Sequence, residues 1–530
     1  MNAASSTEPA TVLEDSLPQR IHAHARSQPQ ALALVHDGSS QTWSEYSAKA
    51  NRIANRLLEL GIGRGGRVAL LGKNSAHYAE MMAGILTAGA AFVPLPSMVT
   101  ASTLFAIIED CEPQLLFVDR HHSQLLAELL ELAPDGFSNR VICLDFQHGD
   151  LPQAADWYAT ASDEYPAVAI EGADVFCVMY SSGTTGVPKG IILSHDTRVK
   201  QARTMVALEF NVDATNLIGT PLYSLGALST WMPAIYGGAC NVLFEKFDAG
   251  EYLELIQQHR VSHLLLVPVQ FERLLARPDF TDYDLSSVKY KFGGSAPMSV
   301  AVKQDLAARF PGEMFEFYSM TEGGVTTALL VNHFPDKLAS VGQATNGCSL
   351  KIIDDDGAEL ATGEIGEIVG RSELHMDGYV NNAVGDNNLY WLDSQGDAYI
   401  RTGDLGYLDA DGFLFLRDRK KDMIISGGMN IYASDIEASI IKHEAVREVA
   451  VVGVSSERWG ETPVAVVKLT EGASITPGEL RDWANNTQLS KHQRIAGVSI
   501  VDSLPRNHLG KLLKLEIKQI LIDSGVTYEG

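Results

Sequence analysis

The chain has 530 residues, more than one hydrophobic core usually organises, so two or more domains are expected. Its apolar fraction of 45% and charged fraction of 20% are those of an ordinary globular protein and exclude disorder. The formal net charge of -25 excludes a general nucleic-acid binder, because polyanion binding needs a basic surface that displaces counterions. The first residues, MNAASSTEPATVLED, are polar and acidic, unlike a signal peptide, and read as a frayed lead-in.

Helical and strand patterns then alternate. Thr42 to Gly61 carries apolar residues at helical spacing and a glycine stop, and Arg67 to Gly72 is a strand-like run. Between them Gly61, Gly63 and Gly66 satisfy the dinucleotide fingerprint in the wrong order, helix before and strand after, so this is a helix-to-strand loop. Met81 to Pro96 is the longest apolar stretch; broken by Thr87 and Pro94, it is too short to span a bilayer and reads as a buried helix running into a strand. The segments PQLLFVD, RVICLD and SHLLLVPV continue the α/β grammar. His121 and His122 are adjacent, without the helical spacing of a metal motif, and are expected in a solvated loop. Cys111, Cys143, Cys177, Cys240 and Cys348 show no paired spacing, which points to neither zinc nor disulfides and fits a reducing cytoplasm.

The stretch YSSGTTGVPKG, Tyr180 to Gly190, has the small, hydroxylated and glycine residues that cradle phosphate. It is not a P-loop: Pro188 precedes Lys189, Gly190 stands where a magnesium-binding hydroxyl would be, and GIILSH reads as a strand rather than a helix. Later, GGSAP places Ser295 after two glycines but lacks the closing glycine of a hydrolase elbow. After Asp418 the charged DRKKDMI introduces a compact segment with its own strands (VAVVGV, PVAVVKLT) and helices (SDIEASIIKHE, PGELRDWAN). The expected fold is α/β, with a large multi-sheet N-terminal domain over residues 1–420 and a small α+β C-terminal domain over 421–530.

YSSGTTGVPKG together with FYSMTE (Phe317 to Glu322), RTGDLGYLDADG (Arg401 to Gly412), DRKKDMIISGGMNIY (Asp418 to Tyr432) and PRNHLGK (Pro505 to Lys511) resembles the adenylate-forming superfamily of acyl-CoA and aryl-CoA ligases, nonribosomal adenylation domains and luciferase. The resemblance implies that a carboxylate attacks the α-phosphorus of ATP, so the site supplies cations and N–H donors to crowded anions. It places ATP on Ser181, Ser182, Gly183, Thr184, Thr185, Gly186 and Lys189, on Gly294 and Ser295, and on Tyr318 (adenine), Thr321 (α-phosphate), Asp404 and Arg419 (ribose). Glu322 corresponds to the Mg²⁺ ligand, and Lys511 to the catalytic lysine that reaches the carboxylate and α-phosphate; Thr184 and Glu322 share the catalytic role.

By the same resemblance the small domain is mobile about Lys421. In a second orientation Gly427, Gly428 and Met429 would line the passage of coenzyme A. Two departures are visible: Asp418 replaces a glycine and Ala433 a proline. Tyr223 and Ser224 fall in the acyl pocket, where amino-acid-activating relatives carry an aspartate; an ammonium would be buried unpaired here, so an uncharged aliphatic or aromatic acid is expected. The implied enzyme is an AMP-forming acid–thiol ligase using ATP, Mg²⁺ and coenzyme A on a small-molecule carboxylic acid, cytoplasmic, without nucleic acid or membrane span, and compatible with a homodimer. The alternatives are an acyl-AMP ligase that loads a carrier protein, a luciferase-like oxidase, and a nucleotide-binding regulator, the last opposed by the presence of both Lys511 and Glu322.

Overall fold

The computed structural model describes residues 12–181, 189–382, 389–506 and 511–524. The chain divides into two compact units, one of residues 1–338 with 371–389, the other of residues 339–370 with 390–530.

In the first unit a seven-stranded sheet runs in the order Gly378–Tyr379, Lys189–Ser194, Val175–Ser181, Ala91–Pro94, Arg67–Leu71, Leu115–Val118, Val141–Cys143. The last five strands are parallel, and Lys189–Ser194 and Gly378–Tyr379 close the edge antiparallel. A second sheet orders Thr326–Leu330, Glu313–Ser319, Tyr290–Gly293, His263–Leu266, Thr215–Ile218, Cys240–Leu243, Leu32–His36 and Ser39–Thr42. The alternating pattern of the sequence is thus realised as two wound sheets with helices against them.

The helix read at the start of the chain spans Trp43–Glu59, opened by a capping box in which the Thr42 hydroxyl accepts from the Glu45 N–H and the Glu45 carboxylate accepts from the Thr42 N–H. Met81 to Pro96 is, as expected, a buried helix, Ala76–Thr87, leading into the strand Ala91–Pro94. Gly84 lets the two helices touch: a Cβ there would overlap Ile53 and sit 3.1 Å from the Ala50 carbonyl oxygen. Trp43, Tyr46, Phe92 and Trp231 anchor the core, each apolar side chain contributing about 1.5–3 kcal/mol by burial.

One expectation fails. His122 is not solvated: it is 8% exposed, and its Nδ1 is 2.5 Å from the Asp119 carboxylate at the end of the strand Leu115–Val118. The strand end brings the carboxylate over the following turn, which adjacency in sequence does not reveal.

The second unit holds a five-stranded sheet in which Cys348–Ile353, Gly366–Ser372, Ala398–Leu408 and Tyr390–Leu392 are neighbours and Leu414–Arg419 pairs with Ala398–Leu408. It also holds a small sheet ordered Met429–Ile431, Ile424–Ser426, Gly460–Leu469, Val446–Ser456, with Gly497–Ile500 on Gly460–Leu469. The helices Ala433–Ile440 and Pro477–Trp483 cover it, packing Ile436, Ile440 and Leu480 onto Val451, Ala465 and Val467.

Candidate active site

The two ends of the glycine-rich stretch Tyr180 to Gly190 lie on neighbouring strands of the first unit. Val175–Ser181 pairs antiparallel with Lys189–Ser194, with Ser181 opposite Lys189, so both expected flanking strands are present. Ser182, Gly183, Thr184, Thr185 and Gly186 lie outside the described residues. Lys189 opens the second strand, and its Nζ stands 5.1 Å from the centre of the Tyr379 ring.

Tyr318 is near the end of the strand Glu313–Ser319, and Thr321 and Glu322 occupy the turn beyond it. Gly323 has φ +75° and packs on the Leu374 carbonyl, where any side chain would collide with backbone. The same turn is tied by the Met376 N–H, which donates to the Glu322 carbonyl oxygen at 2.8 Å. The Glu322 carboxylate accepts a hydrogen bond from the Tyr379 hydroxyl at 3.1 Å. One carboxylate oxygen is therefore held by the protein. A hard cation bound through one carboxylate plus substrate phosphates fits this donor set.

Gly294 and Ser295 follow the strand Tyr290–Gly293. A Cβ on Gly294 would sit 2.7 Å from the Phe317 carbonyl oxygen, so glycine is what lets this loop lie against the strand carrying Tyr318. Ser295 is exposed and left-handed, with φ +68°. Beneath the loop, Glu316 and Lys303 form an ion pair, both side chains at most 3% exposed. Lys303 also donates to the Leu338 carbonyl at 2.7 Å. Burial pushes the Glu316 carboxyl up to about 7, against the opposing pull of Lys303 and of the Met298 N–H.

Tyr223 and Ser224 are both buried. Ser224 caps the helix Leu225–Gly237: its hydroxyl accepts from the Ala227 N–H at 3.3 Å and donates to the Pro221 carbonyl at 2.7 Å. The Tyr223 hydroxyl accepts from Ser97 at 3.4 Å, and burial raises its phenol above the ordinary range. In the first turn of that helix Gly226 faces Ser295, with 3.6 Å between a Cβ built there and Ser295 Oγ.

The second unit gathers the remaining charges. Asp404 on Ala398–Leu408 is in register with Arg419 on Leu414–Arg419, and Arg419 Nε lies 3.1 Å from the Asp404 carboxylate. Lys511 sits among Arg419, Asp404, Lys421 and Asp422. Burial first, then the Arg419 guanidinium, bring its ammonium down to about 8, with Asp404 opposing. Lys421 belongs to a single 3-10 turn, Lys420–Asp422, whose Lys420 pairs with Asp355 at 2.8 Å and Glu367 at 3.1 Å.

Gly427 and Gly428, φ +57° and +80°, make the two-residue turn of the hairpin Ile424–Ser426/Met429–Ile431. Met429 is half exposed beyond it.

A family model for AMP-binding enzymes matches residues 21–380, and one for the AMP-binding enzyme C-terminal domain matches residues 435–511. The chain belongs to the AMP-binding enzyme family. The resemblance drawn from the five motifs is thereby borne out. Among its relatives, the chain is 32% identical over 501 residues to a feruloyl-CoA synthase of Amycolatopsis sp, covering 93% of this chain and 97% of that one. It is 30% identical over 513 residues to a fatty acid–acyl-carrier-protein ligase of Streptomyces coeruleorubidus, covering 95% and 96%. The fold matches the crystal structure of ATP-bound MatB from Rhodopseudomonas palustris with a TM-score of 0.85 at 28% identity, over 97% of this chain and all of that one.

Tyr379 lies outside the five motifs. Its signal was faint, a glycine–tyrosine pair in MDGYVNN, and its meaning depends on the strand it pairs with.

Proposed function

We propose that this protein is an ATP-dependent carboxylate:CoA ligase, an AMP-forming acid–thiol ligase. What supports the reading above all is the similarity over nearly the whole chain to a feruloyl-CoA synthase, in a chain that has Glu322 and Lys511 at the motif positions. In the first half-reaction a carboxylate oxygen of the acid attacks the α-phosphorus of ATP, the bond from that phosphorus to the bridging oxygen breaks, and pyrophosphate leaves with its electron pair. In the second, the thiol sulfur of coenzyme A attacks the acyl carbon of the acyl-AMP, AMP departs, and the thiol proton passes to solvent or to the departing phosphate.

The chain's own groups suit these steps. Lys189 and the loop before it neutralise the departing phosphates, with Thr184 as a hydroxyl donor. Tyr318 lies on adenine beside Gly294 and Ser295, Thr321 bonds the α-phosphate, and Asp404 accepts from the ribose hydroxyls with Arg419 alongside. Lys511 places an ammonium between the two anions that must meet. Glu322 would hold Mg²⁺, which when bound shields the phosphates' negative charge. Gly427, Gly428 and Met429 line the thiol's approach after the small domain, residues 421–530, turns about Lys421 against the body, residues 1–420. That boundary is one of motion, whereas the two compact units follow packing density.

The acyl group is uncharged, aliphatic or aromatic: Tyr223 and Ser224 offer no carboxylate to an ammonium, and Ser224's hydroxyl is already engaged in capping its helix. With ATP and coenzyme A as substrates the cytoplasm is the natural compartment, and the chemistry works in one copy of the chain or in a homodimer. A second reading, acyl-AMP ligase for a carrier protein, is favoured by the relative from Streptomyces coeruleorubidus.

Product analysis with ATP, a panel of carboxylic acids and either coenzyme A or a holo-carrier protein decides between them. Acyl-CoA from aliphatic or aromatic acids is expected. Thioester on the carrier alone would establish the second reading, and pyrophosphate exchange driven by α-amino acids would overturn the acyl assignment.

A further inference from the structure

Glu322 and Lys189 have opposite charges, stand far apart in sequence and are met by one side chain. Tyr379 is 8% exposed and lies on the edge strand Gly378–Tyr379, antiparallel to Lys189–Ser194 with Tyr379 opposite Ile191. Lys189 is two residues from Ile191 and so projects on the same face, a diagonal neighbour of Tyr379 that a long side chain reaches. The consequence is the ammonium 5.1 Å above the ring, where the negative face of the aromatic system attracts a cation. The hydroxyl at the other end of the same ring donates to Glu322 at 3.1 Å. Because the ring is rigid and its backbone is pinned in the sheet, the two charged groups have a fixed relation to each other.

Further ties hold this geometry. The Met376 N–H bonds the Glu322 carbonyl, and Gly323 packs on Leu374, so residues 374–379 clasp the turn that carries Glu322. The Asp377 N–H donates to the Ile192 carbonyl at 2.9 Å, tying the same segment to the Lys189 strand.

We propose that Tyr379 is a positioning residue for adenylation: its hydroxyl orients the Glu322 carboxylate toward a phosphate-bound divalent cation while its ring face steadies the Lys189 ammonium. A carboxylate with one oxygen occupied by a phenol keeps its negative charge and presents the other oxygen in a set direction. This inference rests on Glu322 being the metal ligand.

Tyr379→Phe keeps the ring under Lys189 and removes the hydroxyl. Calorimetric titration of Mg²⁺ into protein with saturating ATP should show the apparent Kd for Mg²⁺ rising about tenfold, the worth of one hydrogen bond to a charged group. Binding of metal-free AMP, which lacks the β and γ phosphates, should be unchanged and serves as the measure of an intact fold. In a Glu322→Gln background the further substitution Tyr379→Phe should add little, because both changes remove one interaction.

If Glu322→Gln itself leaves the Mg²⁺ dependence unaltered, the metal-ligand reading fails and the inference falls with it. If Glu322→Gln weakens Mg²⁺ binding but Tyr379→Phe does not, or costs the same in both backgrounds, the reading stands and the inference alone is overturned. Equal loss of AMP and MgATP binding would assign Tyr379 a structural role only, which also overturns it.

Discussion

Lys511 shows how much a single residue's surroundings add to its identity. A lysine in a polar loop has an ordinary amine near 10.4, but burial and the nearby Arg419 guanidinium hold this one down to about 8. In the role proposed for it, the ammonium is the active form. The kcat/KM for adenylation, measured by pyrophosphate exchange, should therefore fall as pH rises through about 8, since that ratio reports the free enzyme. Lys511→Arg, charged throughout the range, should lose this limb of the profile. Lys511→Ala should abolish acyl-AMP formation while purified acyl-AMP and coenzyme A still yield thioester; adenylation at an undiminished rate in that variant would remove Lys511 from the role proposed for it.

Among elements, the strand Glu313–Ser319 carries both Tyr318, the proposed adenine contact, and a buried charge. Glu316 and Tyr318 are two residues apart and share a face, so the Lys303–Glu316 pair beneath one supports the other. Lys303→Met strands a carboxylate in the core and should cost about 3–5 kcal/mol in denaturant unfolding. Lys303→Met with Glu316→Met removes both charges and should recover most of that loss, as apolar replacements of buried pairs commonly do. The raised Glu316 carboxyl sets the sign of the pH response. Between the usual carboxyl value and about 7 the folded state binds more protons than the unfolded chain, so this group's contribution to stability falls as pH rises through that window. The double variant should lose that slope.

For the whole molecule, the proposed two half-reactions ask the small domain to turn about Lys421. That residue sits in a 3-10 turn, whose φ is close to the value proline enforces. Lys421→Pro should hold the turn as it stands, leaving adenylation largely intact and slowing thioester formation by an order of magnitude or more in single-turnover assays. Equal loss of both half-reactions would point to a folding defect instead.

The sequence by itself determined the α/β class, the order of the elements and the chemistry, because each is written in short-range patterns. Glycines mark tight turns such as Gly427–Gly428, a threonine and a glutamate three residues apart open a helix, and phosphate-binding loops need small residues with N–H groups free. Tertiary structure alone decided the relations between distant residues. The Tyr379 hydroxyl reaches Glu322 across 57 positions, and the Asp404–Arg419 pair depends on strand register. His122 is buried because a strand end delivers Asp119 to it, and Ser224 spends its hydroxyl on a helix cap. Local propensity cannot specify such contacts, since they arise only when sheet pairing and the burial of the core bring separate segments within hydrogen-bonding distance.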